Sequence, residues 1–176
     1  MAHELEKYVK SIPDFPKKGI IFRDVTGLLD SAEAFRLTIS ELEKNLKNSG
    51  ITKIAAPESR GFIFAAPLAD RLGVPFVPIR KPGKLPRPTI SESYALEYGE
   101  ATIHIHTDAI QSGDKVAIID DLLATGGTML AAYHLVKKLN PKKVMINFII
   151  ELEGLKGREI FPTEAEIECL LTLEGK

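Results

Sequence analysis

Apolar residues recur every three or four positions in several parts of the chain, which is the spacing of one face of a helix. The clearest stretches predict three helices, at 31–48, 61–72 and 128–139. Asp30 stands three residues before Glu33, the spacing of a capping box, and this predicts the start of the first of these helices. A shorter amphipathic stretch at 5–12 predicts a fourth helix, which ends before two prolines.

Short apolar runs bounded by polar residues separate the predicted helices, and such runs are typical of strands. They lie at 53–56, 74–79, 94–96, 101–105, 115–119, 143–150 and 167–173. Strands and helices alternate between residues 30 and 150, and the strands are almost continuously apolar, which indicates parallel strands covered on both faces. We therefore expect an α/β fold, a mostly parallel central sheet flanked by helices, with ligands beyond the carboxyl ends of the strands.

The composition of the chain is that of an ordinary globular protein. With 176 residues, of which 44% are hydrophobic, we expect a single domain over 1–176. The net charge of −1 argues against nucleic acid as a partner, and no apolar run is long enough to predict a membrane span. The lone Cys169 excludes an internal disulfide, and the charged N-terminus lacks the apolar core of a signal peptide, so we expect a cytoplasmic protein.

Two adjacent carboxylates, Asp120 and Asp121, follow the apolar run at 115–119. Adjacent acids at a strand end repel each other and need a cation, water or hydroxyl donors, and the vicinal hydroxyls of a ribose are donors of this kind. Successive strand residues point to opposite faces, so the two acids need not share one role. They predict a ribose site, with the division between sugar contact and local scaffold left open.

A glycine turn comes next and leads into the predicted helix at 128–139. Its residues are Ala124, Thr125, Gly126, Gly127 and Thr128. Glycines let the backbone turn tightly, and the N–H groups at a helix start attract phosphate, so the segment predicts a 5-phosphate site. We expect a side chain at Gly127 to crowd the phosphate and to restrict φ. No lysine follows the glycines, which excludes a nucleoside-triphosphate P-loop, and a capped strand–turn–helix is the competing interpretation.

The segment 116–129, VAIIDDLLATGGTM, resembles the signature of the phosphoribosyltransferases that use phosphoribosyl pyrophosphate. Its residues 120–128, DDLLATGGT, are similar to the same segment of adenine-specific members, whereas hypoxanthine–guanine members usually have glutamate where Asp120 stands. The resemblance implies the type I fold of this family, with a small N-terminal hood at 1–30, and a homodimer. With the motifs described next, it extends over most of residues 12–150.

Two further segments are similar to the parts of this family that bind pyrophosphate. Three consecutive residues resemble its pyrophosphate loop: Glu58, Ser59 and Arg60. An arginine fork suits a diphosphate, and the competing interpretation is a surface Arg60 that pairs with Glu58. The basic, proline-rich stretch 80–94 resembles the mobile lid, with Arg80 and Lys84 as its expected pyrophosphate contacts, and an ordinary solvated loop is the alternative.

The remaining motifs concern the base. Residues 19–25 resemble the hood over the purine. The resemblance implies that Phe22 stacks on the purine, that backbone groups around Ile21 read its Watson–Crick edge and that Arg23 helps to close the site. Packing in the core is the alternative for Phe22. Glu97 lies in a segment similar to the one after the lid of adenine-specific members, which implies that it handles the proton on the imidazole side of the purine.

Together the resemblances predict an enzyme of purine salvage, in which adenine and phosphoribosyl pyrophosphate give AMP and pyrophosphate. They imply Mg²⁺ held mainly by substrate oxygens, without a direct protein ligand. Two alternatives stay open: a phosphoribosyltransferase for another purine, and a non-catalytic regulator of the same fold that senses phosphoribosyl pyrophosphate. Such regulators usually carry a nucleic-acid surface or an extra domain, so the lack of a basic excess favours the enzyme.

Overall fold

A computed structural model of the chain describes residues 4–95 and 99–175, and a five-stranded sheet lies at its centre. The strands are β1 (Lys10–Pro13), β2 (Ile21–Asp24), β3 (Lys53–Pro57), β4 (Phe76–Ile79), β5 (Thr89–Ala95), β6 (Glu100–His106), β7 (Lys115–Leu123), β8 (Lys143–Glu153) and β9 (Glu166–Glu174). The helices are α1 (Ala32–Leu46), α2 (Arg60–Leu72) and α3 (Gly127–Lys137), with 3-10 turns at Glu4–Tyr8, Val25–Leu28 and Gly157–Ile160. The central sheet has the order β4-β3-β7-β8-β9 with every neighbouring pair parallel, so the predicted α/β fold is confirmed.

Two hydrophobic clusters cover the two faces of the central sheet. Ala117 and Ile119 of β7 belong to the cluster that α1 and α2 complete, whereas Val116 and Ile118 belong to the cluster that α3 completes. This alternation follows from the two-residue period of a strand. Within the described ranges, no helix is long and apolar enough to cross a membrane.

The predicted cap of the first helix and the helix predicted at 5–12 are both wrong. Ser31, not Asp30, caps α1, because its Oγ accepts a hydrogen bond from the Ala34 N–H at 3.2 Å. Asp30 instead pairs with Lys10 at 2.7 Å. The helix predicted at 5–12 is a short 3-10 turn followed by β1, since that part of the chain pairs with β2 in an antiparallel hairpin.

Strand β7 is longer than predicted, and this changes the setting of the two acids. The apolar run ends at Ile119, but β7 continues to Leu123 because Asp120 and Leu122 stay in register with β8. Asp120 and Asp121 therefore lie within the last part of the strand rather than beyond it. Hydrogen bonds to the neighbouring strand, which hydropathy does not report, decide this boundary.

The hairpin of β5 and β6 stands outside the central sheet and rests on α3. Lys138, just after α3, donates to the Ser91 carbonyl at 2.8 Å and pairs with Glu92 at 2.5 Å. The predicted lid at 80–94 thus ends in a paired strand, since β5 already begins at Thr89. Its first part, from Arg80 to Pro88, lies outside the named strands.

Asp114 joins the amino ends of β3 and β7. Its carboxylate accepts hydrogen bonds from Thr52 Oγ1 and the Gln111 N–H, both at 2.8 Å, and lies 3.0 Å from Lys53 Nζ. Burial favours the neutral acid, but these hydrogen bonds and the Lys53 charge outweigh it and hold the pKa of Asp114 below its ordinary value.

We expect Asp114→Asn to lower the free energy of unfolding at neutral pH by about 1–3 kcal/mol. Because the pKa is lowered in the folded state, the ionised carboxylate stabilises the protein above the pKa of an unfolded aspartate. That contribution is lost as the pH falls through the folded-state pKa. Urea unfolding at about pH 7 and about pH 3 measures the effect, and a difference between the two proteins that stays equal at both would contradict it.

Candidate active site

A cavity of about 400 Å³ opens at the carboxyl ends of β3 and β7. All five residues of the predicted phosphate turn line it, together with both acids and all three residues of the predicted pyrophosphate loop. Carboxyl ends of neighbouring parallel strands meet at one edge of a sheet, which brings these distant segments together. The predicted sugar, phosphate and pyrophosphate segments therefore share one cavity.

The turn between β7 and α3 takes its shape from Gly126. This residue has a φ of 82°, in the left-handed region that favours glycine, and α3 begins at the next residue. Gly127 lacks a positive φ, and a Cβ atom there would meet only Tyr94 Cδ2, at 4.0 Å. The expectation that a side chain restricts φ at Gly127 is therefore wrong, because the restricted position is Gly126, whereas Gly127 borders open space in the cavity lining.

The first turn of α3 belongs to the lining of this cavity. In the described part of the chain no side chain caps this helix, so its leading N–H groups remain available to a ligand. Free N–H groups and the partial positive charge of a helix start attract an anion such as a phosphate. Thr128 adds a hydroxyl, which donates to the Tyr94 hydroxyl at 3.2 Å.

Asp120 and Asp121 have different surroundings although they are adjacent. Asp121 is 3% exposed, and its carboxylate accepts a hydrogen bond from Arg60 Nε. Asp120 Oδ1 accepts the Asp121 N–H at 2.9 Å. Burial, followed by the nearby charge of Asp121, raises the pKa of Asp120 well above its ordinary value. The two acids thus have different partners, as the alternation of strand residues allows.

The competing interpretation of the pyrophosphate loop, a surface Arg60 that pairs with Glu58, is wrong. Arg60 bonds to Asp121 and not to Glu58, which instead lies 2.7 Å from Arg80 Nε. Burial favours the neutral form of Glu58, but hydrogen bonds from Arg80 and a backbone N–H outweigh it and lower its pKa. Arg80 thus reaches the site through Glu58, although neither Arg80 nor Lys84 belongs to the lining of the 400 Å³ cavity.

A second cavity, of about 540 Å³, lies beside the β1–β2 hairpin and shares Arg60 and Asp121 with the first. Phe22 lines it, and its ring packs edge-on against Phe15 with 5.2 Å between the ring centres. Phe22 is only half-buried, so it is a wall of the cavity and not part of the closed core. An apolar pocket with aromatic walls suits a flat ring.

Of the other predicted hood residues, Arg23 lies at the second cavity and Ile21 does not. Arg23 lines the second cavity, and its guanidinium donates to the Glu174 carbonyl at 2.9 and 3.2 Å, which ties the hood to β9. Ile21 is not part of the lining. Sequence reasoning missed Ile12 and Phe15, which do line it. The signal for Phe15 was an aromatic residue between two prolines, and its 51% exposure is unusual for so large an apolar side chain.

The sequence did not predict that Tyr94 contacts the phosphate turn. Its hydroxyl meets Thr128 of the phosphate turn, and it stands near the end of β5. The hairpin that continues the lid is therefore joined to the helix that begins at the phosphate turn. Glu97 lies outside the described residues, between β5 and β6.

The fold and the site together define a class of protein. Two acids and a glycine turn follow a central parallel strand, and a pocket for a flat ring adjoins them. A family model for the phosphoribosyl transferase domain matches residues 26–160. The chain belongs to the phosphoribosyltransferase family.

Individual relatives define the branch. The chain is 53% identical to an adenine phosphoribosyltransferase of Yersinia pestis (strain Pestoides F) over 169 residues, 95% of this chain and 90% of the relative. The crystal structure of the adenine phosphoribosyltransferase from Thermoanaerobacter pseudethanolicus is similar at 49% identity and TM-score 0.89, covering 97% of this chain and 98% of that one. That from Trypanosoma brucei, in complex with AMP, pyrophosphate and ribose-5-phosphate, has 30% identity and TM-score 0.86, covering 96% and 78%. Within the family, the chain falls among the adenine phosphoribosyltransferases.

Proposed function

We propose that the protein transfers the 5-phosphoribosyl group from phosphoribosyl pyrophosphate to adenine, which gives AMP and pyrophosphate. The observation that carries this is the junction of two cavities at Arg60 and Asp121. One cavity suits a ribose 5-phosphate and the other a flat purine. Carbon C1 of the sugar, where one bond breaks and another forms, belongs at that junction. The family membership supports the same reaction.

The first cavity holds the sugar phosphate by its two ends. The 5-phosphate accepts hydrogen bonds from the backbone N–H groups and hydroxyls of residues 124–128. Asp120 and Asp121 accept hydrogen bonds from the ribose hydroxyls. Anchoring both ends fixes C1 against the incoming base, which removes much of the entropic cost of bringing two reactants together.

The second cavity holds the base. Phe22 stacks on adenine, and Phe15, packed against the Phe22 ring, extends the same apolar wall. Backbone groups around Ile21, at the neighbouring lining residues Phe22 and Arg23, read the Watson–Crick edge, and Arg23 keeps the hood docked on β9 through the Glu174 carbonyl. Adenine N9 then faces the sugar across the junction of the two cavities.

Bond breaking at C1 leads the reaction. The bond from C1 to the pyrophosphate oxygen breaks, its electron pair leaves with pyrophosphate, and the lone pair of N9 forms the new bond to the oxocarbenium-like carbon. Arg60 stabilises the charge on the leaving group, with backbone groups at Glu58 and Ser59 beside it. Arg80 and Lys84 add positive charge when the lid covers the diphosphate. Glu97 takes the proton that adenine loses.

Magnesium fits this site as an ion bound mainly by the substrate. Across residues 4–95 and 99–175 no group of three or more His, Cys, Asp or Glu side chains is arranged to hold a metal. Asp120 and Asp121 are engaged with the ribose hydroxyls, so the ligands of the ion would be substrate oxygens and water. When bound, Mg²⁺ neutralises part of the diphosphate charge.

Conversion of adenine to AMP, compared with hypoxanthine and guanine in the presence and absence of magnesium, tests the proposed function. We expect turnover with adenine and magnesium, and much less with either other purine. Turnover with hypoxanthine or guanine in preference to adenine would reassign the base. Binding of phosphoribosyl pyrophosphate without turnover of any purine would indicate a sensing regulator.

We expect Gly127→Val to raise the dissociation constant of phosphoribosyl pyrophosphate at least about tenfold, because a branched side chain occupies space that the 5-phosphate needs. Calorimetric titration of the folded variant measures this. Adenine-binding residues are untouched, so the dissociation constant of adenine serves as the internal control. Wild-type affinity for phosphoribosyl pyrophosphate would remove Gly127 from the phosphate site.

We place the whole chain, residues 1–176, in one catalytic domain with the hood at 1–30 and the lid at 80–94, working as a homodimer in the cytoplasm. Its phosphorylated substrates do not cross membranes unaided, which supports an intracellular site of action. Sedimentation equilibrium measures the assembly state, and a monomer at assay concentrations would contradict the dimer.

A further inference from the structure

A short segment far along the chain packs against the back of the phosphate turn. It comprises residues 157–161, which begin with the 3-10 turn Gly157–Ile160, and we call it the rear support. No motif in the sequence marked it. Its contacts with Ala124 and Gly126 are closer than side chains permit, which makes it part of the geometry of the turn.

Gly157 lies so close to the turn that no side chain fits between them. A Cβ atom at this position would lie 2.0 Å from the Ala124 carbonyl oxygen and 3.0 Å from Leu123 Cδ1. The φ of Gly157 is outside the left-handed region, so its backbone conformation suits other residues as well. What excludes a side chain here is the Ala124 carbonyl, with the Leu123 side chain beside it.

The contact is reciprocal. A Cβ atom at Gly126 would lie 2.7 Å from the Gly157 carbonyl oxygen and 3.0 Å from Ile160 Cδ1. Phe161 follows at 3.1 Å. Two glycines thus face each other across this contact, one in the phosphate turn and one in the rear support.

The peptide between Ala124 and Thr125 links this contact to the ligand. In a planar trans peptide the carbonyl and the following N–H point in opposite directions. The Ala124 carbonyl points back at Gly157, so the Thr125 N–H points away from the rear support. Thr125 lines the cavity, and its N–H is one of the donors available to a phosphate.

Arg158 fixes the rear support to the sheet. Its guanidinium donates to Glu151 of β8 with two hydrogen bonds, of 3.0 and 2.6 Å, and to the Ile167 carbonyl of β9 at 2.8 Å. A bidentate arginine–carboxylate pair is both strong and directional. The residue next to Gly157 is therefore held by two neighbouring strands.

We propose that Gly157 is a positioning residue for the 5-phosphate, and that Arg158 holds it in place. The rear support sets the orientation of the Ala124–Thr125 peptide and so aims the Thr125 N–H at the phosphate of phosphoribosyl pyrophosphate. This inference rests on the proposed function, since the phosphate is that of its substrate. It adds a segment behind the turn to the residues that decide affinity for the sugar phosphate.

Gly157→Ala tests the inference, with Gly113→Ala as the matched control, since Gly113 is exposed and a Cβ there would meet nothing within 4 Å. In Gly157→Ala the Ala124 carbonyl has to move, so we expect KM for phosphoribosyl pyrophosphate to rise at least about tenfold. KM for adenine stays at the wild-type value. A loss of folded molecules alone would lower kcat and leave both KM values unchanged. Calorimetry with ribose 5-phosphate should show the same loss of affinity.

A folded Gly157→Ala with wild-type KM for phosphoribosyl pyrophosphate would overturn the inference. If that variant does not fold, Arg158→Lys decides, because lysine keeps the charge but loses the two-pronged bond to Glu151. We expect it to raise the same KM about threefold, and an unchanged value overturns the inference. Wild-type protein assayed in parallel separates the two proposals: a wild type that fails to convert adenine refutes the proposed function instead.

Discussion

Replacing Arg60 by methionine is expected to lower kcat/KM for phosphoribosyl pyrophosphate by about 10²–10³-fold, the usual loss when one preorganised donor to a developing charge is removed. Arg60 is the one cation common to the linings of the two described cavities. Its Nε bonds to Asp121, which orients the guanidinium and leaves its outer nitrogens for a diphosphate. Methionine keeps much of the side-chain length but neither charge nor donors.

Loss of Arg60 also affects stability, and the experiment has to separate this effect from the loss of activity. Asp121 is 3% exposed, and without Arg60 its charge loses the partner that compensates its burial. The double variant Arg60→Met/Asp121→Asn removes that buried charge, so it should recover stability in urea without recovering activity. Arg60→Lys retains the charge without the fork, and we expect it to fall between wild type and Arg60→Met. Full activity in a folded Arg60→Met would exclude Arg60 from leaving-group stabilisation.

Glu97→Ala is expected to lower kcat by about 10²–10⁴-fold, the range for a general acid–base residue. A proton must leave adenine as N9 bonds to C1, and we propose Glu97 for this step because its segment resembles the one after the lid of adenine-specific members. Because its position lies outside the described residues, kinetics provides the direct evidence. Stopped assays with adenine and saturating phosphoribosyl pyrophosphate measure the change.

Glu100→Ala is the matched control for Glu97, because Glu100 is an exposed acid three positions further along the chain, at the start of β6. We expect it to keep wild-type turnover. Glu97→Gln should be as slow as Glu97→Ala, since an amide has the shape of the acid but does not take up the proton. A wild-type rate in either Glu97 variant would remove this residue from the mechanism.

Local patterns carried the prediction of the fold. The alternation of strands and helices, the apolar strands and the end of α2 at Leu72 depend on neighbours in sequence, so they are readable without coordinates. Errors appeared where a distant partner decides. Asp30 pairs with Lys10, 20 positions away, while Ser31 caps α1, and β7 continues past Ile119 because Asp120 and Leu122 pair with β8.

The sequence by itself determined the chemistry of the phosphate turn, because acids, glycines and hydroxyls within nine residues form one local unit between a strand and a helix. Tertiary structure decided the partners. Arg60 meets Asp121 across 61 positions of chain, and Gly157 meets Ala124 from beyond β8. Such contacts depend on how the strands align and how closely backbones pack. No periodicity or short motif encodes that information, which exists only once the sheet is assembled.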